Sequence, residues 1–163
     1  MADYKSALEA GFEAAKKAGT ARKEVKEILH TFKTEILNAS NGKLLIEIRK
    51  FDDPPPKITL GVPAGASFAE AYMRMLREKP FHLALGASNP TRGDMPPKEL
   101  AGWKQAKDGY PCTLSWGKKE LQCEDGAALQ DGLAELLKDP NIGEILFSLT
   151  TAVPPETKQT LVN

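Results

Sequence analysis

"YPCTLSWGKKELQCEDG", residues 110–126, is the stretch that decides the fold. Apolar and polar residues alternate on both sides of Gly117-Lys118, the pattern of a half-buried β-hairpin. Glycine at the first central position of a two-residue turn suits type II′ geometry. That turn fixes the register: Trp116 opposite Lys119, Leu114 opposite Leu121, Cys112 opposite Cys123. These three pairs share one face, and Thr113, Ser115, Glu120 and Gln122 share the other. The two cysteines are the only ones in the chain. A structural zinc site wants ligands in closer pairs than these, and His30 and His82 bring no matching spacing. A thioredoxin-type couple wants two intervening residues. A reducing compartment disfavours a cross-strand disulfide. The expectation is therefore two buried thiols facing each other, with no metal site and no cofactor.

Working outward, "GAALQDGLAELLKDP" (126–140) reads as a helix, with Leu129, Leu133, Leu136 and Leu137 on one face and Asp125 as its N-cap. "EILFSLTT" (144–151) reads as a last strand, and 153–163 as a flexible C-terminal tail. Towards the N-terminus, "KELAGWKQAK" (98–107) reads as a short helix anchored by Leu100 and Trp103. "FHLAL" (81–85) reads as a short strand followed by a long loop, "GASNPTRGDMPP" (86–97). "SFAEAYMRMLREK" (67–79) opens with a capping box, Ser67 and Glu70, and reads as a helix. "KLLIEIRKF" (43–51) and "PKITLGV" (56–62) alternate as strands and suggest a hairpin around the proline-rich 52–56 loop.

The first 38 residues read as two helices broken at Gly19-Thr20. Tyr4, Leu8 and Phe12 mark the stripe of the first. Val25, Ile28, Leu29, Phe32 and Ile36 mark that of the second, which Asn41-Gly42 would end. The whole is an α+β fold: a mostly antiparallel sheet with helices packed on it, preceded by an N-terminal helical pair. It is expected as a single domain over residues 1–152, with a helical hairpin at 1–40 and the sheet and its helices at 43–151.

The chain has 163 residues, 41% hydrophobic and 27% charged, with a formal net charge of zero. No apolar run reaches the roughly 20 residues that span a bilayer, so no membrane partner is expected. The N-terminus lacks the basic and apolar regions of a signal peptide, which makes a cytoplasmic location the expectation. Charge is graded along the chain: residues 1–50 carry ten Lys/Arg and seven Asp/Glu, whereas residues 101–163 carry six and nine.

"AAKKAGTARKEVKEIL" (14–29) resembles the helix-turn-helix pattern, with Ala15, Ala18, Gly19, Val25 and Ile28 at the matching offsets. The same segment followed by "GKLLIEI" also resembles the opening of histone-like DNA-bending proteins. Either resemblance implies nucleic-acid binding, with Lys16, Lys17, Arg22, Lys23 and Lys26 meeting phosphates. Thr20, Glu24 and Glu27 depart from the pattern.

No nucleophile elbow, phosphate loop or metal motif is present. Ser88, Asn89, Thr91 and Arg92 form a candidate anion loop after a strand. His82 is the one candidate general base, set on the strand face opposite Phe81, Leu83 and Leu85. The balance points to a non-enzymatic regulatory or interaction protein with a protein partner, self-associating as a homodimer through Val25, Leu29, Phe32 and Ile36. Nucleic-acid binding through residues 14–29 is the alternative, and a small enzyme with a pocket at His82 is the second.

Overall fold

The computed structural model of the chain describes residues 1–54, 67, 69–70, 72–73 and 80–151. Among these, five strands form one antiparallel sheet in sequence order: β1 (Leu45–Asp52), β2 (Phe81–Ser88), β3 (Lys98–Gln105), β4 (Cys112–Trp116) and β5 (Lys119–Cys123). Three helices accompany it: α1 (Tyr4–Ala39), α2 (Gly126–Lys138) and α3 (Pro140–Thr151). The α+β architecture expected from the patterning is the one present.

The β4–β5 hairpin has the register that its alternation dictates, with Cys112 opposite Cys123, Leu114 opposite Leu121 and Trp116 opposite Lys119. Gly117 turns at φ +56°, while Lys118 keeps a negative φ, as a type II′ turn requires. Its apolar face receives α2 at close range: a Cβ added to Gly132 would lie 3.2 Å from Cys123 Sγ and 3.3 Å from Leu114 Cδ1. Leu114, Leu129, Leu133 and Leu136 are all essentially removed from water there. Each such side chain contributes about 1.5–3 kcal/mol on burial, so this helix–hairpin contact is the centre of the core. Helix α3 packs against β3 and α2, and α1 packs against β1 and α2.

Four local expectations are corrected. Helix α1 does not break at Gly19-Thr20, so there is no N-terminal helical pair and no helical hairpin at 1–40. It is one helix of 36 residues, about 54 Å long at 1.5 Å per residue. A single glycine inside a helix costs only about 1 kcal/mol, and the alanines around it carry the helix through. Thr20 is no cap: its hydroxyl donates back to the Lys16 carbonyl at 3.1 Å. The helix ends where expected, with Asn41 at φ 54° and Gly42 at φ 79°.

Residues 98–105 are a strand, not a helix. The register slips between Leu85 and Gly86, whose partners are Ala101 and Glu99. Leu100 is therefore the extra residue of a bulge, which puts Leu100 and Trp103 on the core side three apart, imitating a helical stripe. Residues 144–151 belong to α3 and not to a strand. Asp139 starts that helix, its Oδ1 accepting from the N–H groups of Asn141 (2.9 Å) and Ile142 (3.3 Å), and Pro140 takes the first helical position, where no N–H is needed. Finally, β2 extends to Ser88, paired with β1 along the whole of both strands, so the 86–97 loop starts later than its composition suggested. The expected strand 56–62, most of the expected helix 67–79 and the tail 153–163 lie outside the described residues.

Candidate functional site

Two features of the surface stand apart from the core, one polar and one apolar. The polar one is built on His82. On β2 it pairs with Phe51 of β1 and stacks against that ring, centroids 6.1 Å apart and planes 25° from parallel. By register it lies on the sheet face that also carries Gly102 and Ser115, opposite the face covered by α2. Both ring nitrogens meet carboxylates: Nδ1 lies 2.5 Å from Asp53 Oδ1, and Nε2 lies 2.8 Å from Glu99 Oε1. An imidazole can donate from both nitrogens only as the cation. The hydrogen bond to Glu99 first, and that to Asp53 next, raise the His82 pKa above its ordinary 6.5, against a smaller opposing effect of desolvation.

This arrangement has a chemical consequence. Donating from both nitrogens, the imidazolium has no free lone pair; only its neutral form, released from one carboxylate, could take a proton from a substrate. His82 acts as an ionic clamp, joining β2 to β3 and to the residue that follows β1. An open concavity of about 870 Å³ lies beside it, with Glu99, Gly102, Lys104 and Ser115 among its walls. Among the described residues, no group of three or more His, Cys, Asp or Glu side chains is arranged to hold a metal ion.

The apolar feature is the N-terminal half of α1. Residues 1–17 are all exposed, and Tyr4, Leu8 and Phe12 are 82%, 58% and 60% exposed. At 100° per residue these three lie within about 80° of arc, and the centre of that arc is about 100° round the helix from the row that packs on the sheet. The chain's own body is therefore not beneath them. The helix is pinned to the body where the arm begins: Arg22 Nη1 donates to the Lys107 carbonyl at 2.7 Å, and Tyr110 OH donates to Glu24 Oε1 at 3.1 Å. Burial first, and the Glu24 contact second, push the Tyr110 hydroxyl up to about 12, so it remains a donor across the usual pH range.

Of the residues expected at an interface, Val25 is buried, while Leu29, Phe32 and Ile36 are half-buried. Val25 is 1% exposed, and Leu29, Phe32 and Ile36 pack against the core of the same chain. Of the five basic residues in the helix-turn-helix resemblance, Lys16 pairs with Glu13 at 3.7 Å and Lys23 with Glu27 at 3.9 Å. Arg22 is held by Lys107, while Lys17 and Lys26 are exposed on the helix. The turn on which that resemblance depends is absent, since α1 runs straight through it.

The side chains of the candidate anion loop make hydrogen bonds within the chain. Asn89 is buried, donating from Nδ2 to the Leu149 carbonyl at 2.9 Å and accepting at Oδ1 from Thr91 N and Thr91 Oγ1. Arg92 makes a two-pronged contact with Asp94, 3.0 Å from Nε and 2.9 Å from Nη2. Ser88 Oγ accepts from Arg49 at 3.4 Å. Asn89 thereby ties the turn to α3, while Arg92 Nη1 is buried with no hydrogen-bond partner among the described residues.

Cys112 and Cys123 are free, buried and paired across the hairpin. Burial, with Cys123 nearby, pushes the Cys112 thiol up to about 11, and burial also raises Cys123. Neither has the lowered pKa of a nucleophile. No helix among the described residues is long and apolar enough to cross a membrane. Comparison with protein families, with curated proteins and with solved structures finds no match to this chain.

Proposed function

We propose that this chain is a protein-interaction module that self-associates through the projecting half of α1. One observation carries the reading: Tyr4, Leu8 and Phe12 form a continuous exposed stripe on a helix whose other half is anchored in the core. A helix that keeps an apolar stripe in water while its polar flanks are well formed is shaped for a partner.

The charge pattern favours a second copy as that partner. The arm carries Asp3, Glu9 and Glu13 against Lys5, Lys16 and Lys17, so two arms do not repel. An antiparallel pairing about Leu8 sets Leu8 against Leu8 and Tyr4 against Phe12. It also sets Lys5 of each arm beside Glu9 of the other, and such opposite-charge flanks fix orientation in paired helices. The contact is small, on the order of 800 Å² in total, at the low end of specific interfaces. A reversible dimer with a dissociation constant in the micromolar range is the expected result.

Sedimentation velocity across about 1–300 µM tests this, with far-UV circular dichroism to verify folding. The native chain is expected to shift from monomer to dimer, and Leu8→Glu to remain monomeric with an unchanged spectrum. A native chain that stays monomeric throughout overturns the reading, as does a dimer indifferent to Leu8→Glu. Phe32→Glu does not serve as a probe of the arm, because Phe32 lies half-buried against the core, away from Tyr4, Leu8 and Phe12.

A further inference from the structure

A second contact surface lies on the opposite side of α1. Between α1 and α2 runs a groove of about 600 Å³. Its apolar lining consists of Ile28, Phe32 and Ile36 from α1 and Leu133 and Leu137 from α2. The spacing is i, i+4, i+8 along one wall and i, i+4 along the other, the complement of a helix that presents apolar residues every three or four positions. Ile28 and Leu133 lie at the bottom, 9% and 2% exposed, while Phe32, Ile36 and Leu137 are half-buried and reachable.

The two edges of the groove differ. The α1 edge carries Glu24, Glu27 and Glu35, which recur at i, i+3 and i+11, so they stand in one row. The α2 edge presents Gln130 and Ala134, both exposed and uncharged. Among the described residues, no lysine, arginine or histidine lines the groove. In a chain whose net charge is zero, an apolar trough with acid along one wall has a preferred occupant.

We infer that this groove docks an amphipathic helix of another protein, one with an apolar stripe and a row of Lys or Arg along one flank. The stripe displaces water from Phe32, Ile36 and Leu137. The cationic flank lies over the glutamate row, and the opposite flank is small, so that it clears Ala134. This surface and the arm lie about half a turn apart on α1, so occupation of one leaves the other free. The inference is independent of self-association through the arm.

The test uses the whole chain and fluorescence anisotropy with labelled 18-residue peptides. The first peptide carries leucines at i, i+4, i+7 and i+11 with lysines along one flank. A second has glutamate in place of those lysines, and a third has the composition of the first in scrambled order. The first is expected to bind saturably, and at least tenfold more tightly than either control. The paired substitution Glu27→Lys with Glu35→Lys replaces two attractive contacts by two repulsive ones, so it is expected to weaken binding about tenfold or more. Ala134→Arg, at an exposed position, is expected to weaken it by obstructing the edge. Leu8→Glu is expected to leave it unchanged. Equal binding of the ordered and scrambled peptides overturns the inference, as does indifference to the glutamate reversals. A peptide of residues 1–19 that outcompetes the lysine peptide also overturns it, because the groove would then belong to a second copy.

Discussion

Substituting Gly109 by alanine tests how firmly α1 is held to the sheet. Gly109 lies in the β3–β4 connection with φ +99°, a conformation that costs an L-residue about 1–3 kcal/mol. It also sits directly against the helix. A Cβ there would fall 2.7 Å from Ala21 Cβ, 2.9 Å from Ala21 C and 2.9 Å from Arg22 N. Two of those atoms are helix backbone, which cannot rotate aside, so a steric cost of about 1–3 kcal/mol adds to the first. The expected loss is about 4 kcal/mol in total, which lowers a urea midpoint by about 2 M at the slope usual for small proteins. Gly117→Ala separates the two contributions, because its φ is +56° and nothing lies within 4 Å of the added carbon. That variant is expected to lose about 1–2 kcal/mol. Equilibrium urea unfolding of both variants, followed by circular dichroism, provides the comparison. If Gly109→Ala costs no more than Gly117→Ala, the helix does not rest on this turn, and the anchoring of the arm is wrong.

Two further predictions concern titration. His82, observed by NMR, is expected to titrate above its ordinary 6.5, and Glu99→Gln is expected to lower its midpoint more than Asp53→Asn does. Because the folded state binds this proton more tightly than the unfolded chain, the clamp's contribution is complete below pH 6.5 and is lost as pH rises through the folded midpoint. With the His82 side chain 37% exposed, solvent screening limits each contact to about 0.2–1 kcal/mol. A midpoint at or below 6.5 would remove the clamp. For the thiols, iodoacetamide at pH 8 reads the thiolate fraction. Raising Cys112 from 9.0 to about 11 reduces that fraction about a hundredfold, and burial slows the reaction further. Rapid labelling of both cysteines in the native chain would contradict the buried pairing.

The parts of this fold that were legible in the sequence are those governed by short-range periodicity. The β4–β5 register could be read residue by residue, because a two-residue turn couples the alternation of one strand to that of the next. The leucines of α2 gave that helix away in the same manner. What misled was context. The bulge at Leu100 gave a strand the three-residue spacing of a helix, and its cause lies in β2, not in the strand itself. In α3, the apolar residues 145–147 and Leu149 with the β-branched Thr150 and Thr151 resemble a strand, while the deciding signals, Asp139 and Pro140, stand outside that stretch. Gly19-Thr20 looked like a break because local propensity cannot say how strongly flanking turns will carry a helix. His82 is legible as a lone titratable residue, but its partners lie 29 and 17 positions away in sequence. No spacing rule joins them. Asp53 lies in the proline-rich 52–56 loop, and the helix-like spacing of 98–107 hides the strand position of Glu99. The arm was visible as the stripe Tyr4, Leu8 and Phe12, yet only the folded chain distinguishes a stripe left in water from one spent on the core.

The pairing of β1 with β2 has a consequence for how the chain tolerates change. These neighbours are separated in sequence by a long excursion, yet Asp53 N donates to the Pro80 carbonyl at 2.8 Å, so the excursion leaves and returns at one point. The 26 residues from 54 to 79 thus connect two strand ends that the sheet already holds together. Replacing them by a four-residue turn would lower the closure entropy by only about 1.7 kcal/mol, since that cost grows with the logarithm of length. The sheet is accordingly a frame with a socket. Chain closure therefore sets little limit on the length of sequence carried between β1 and β2.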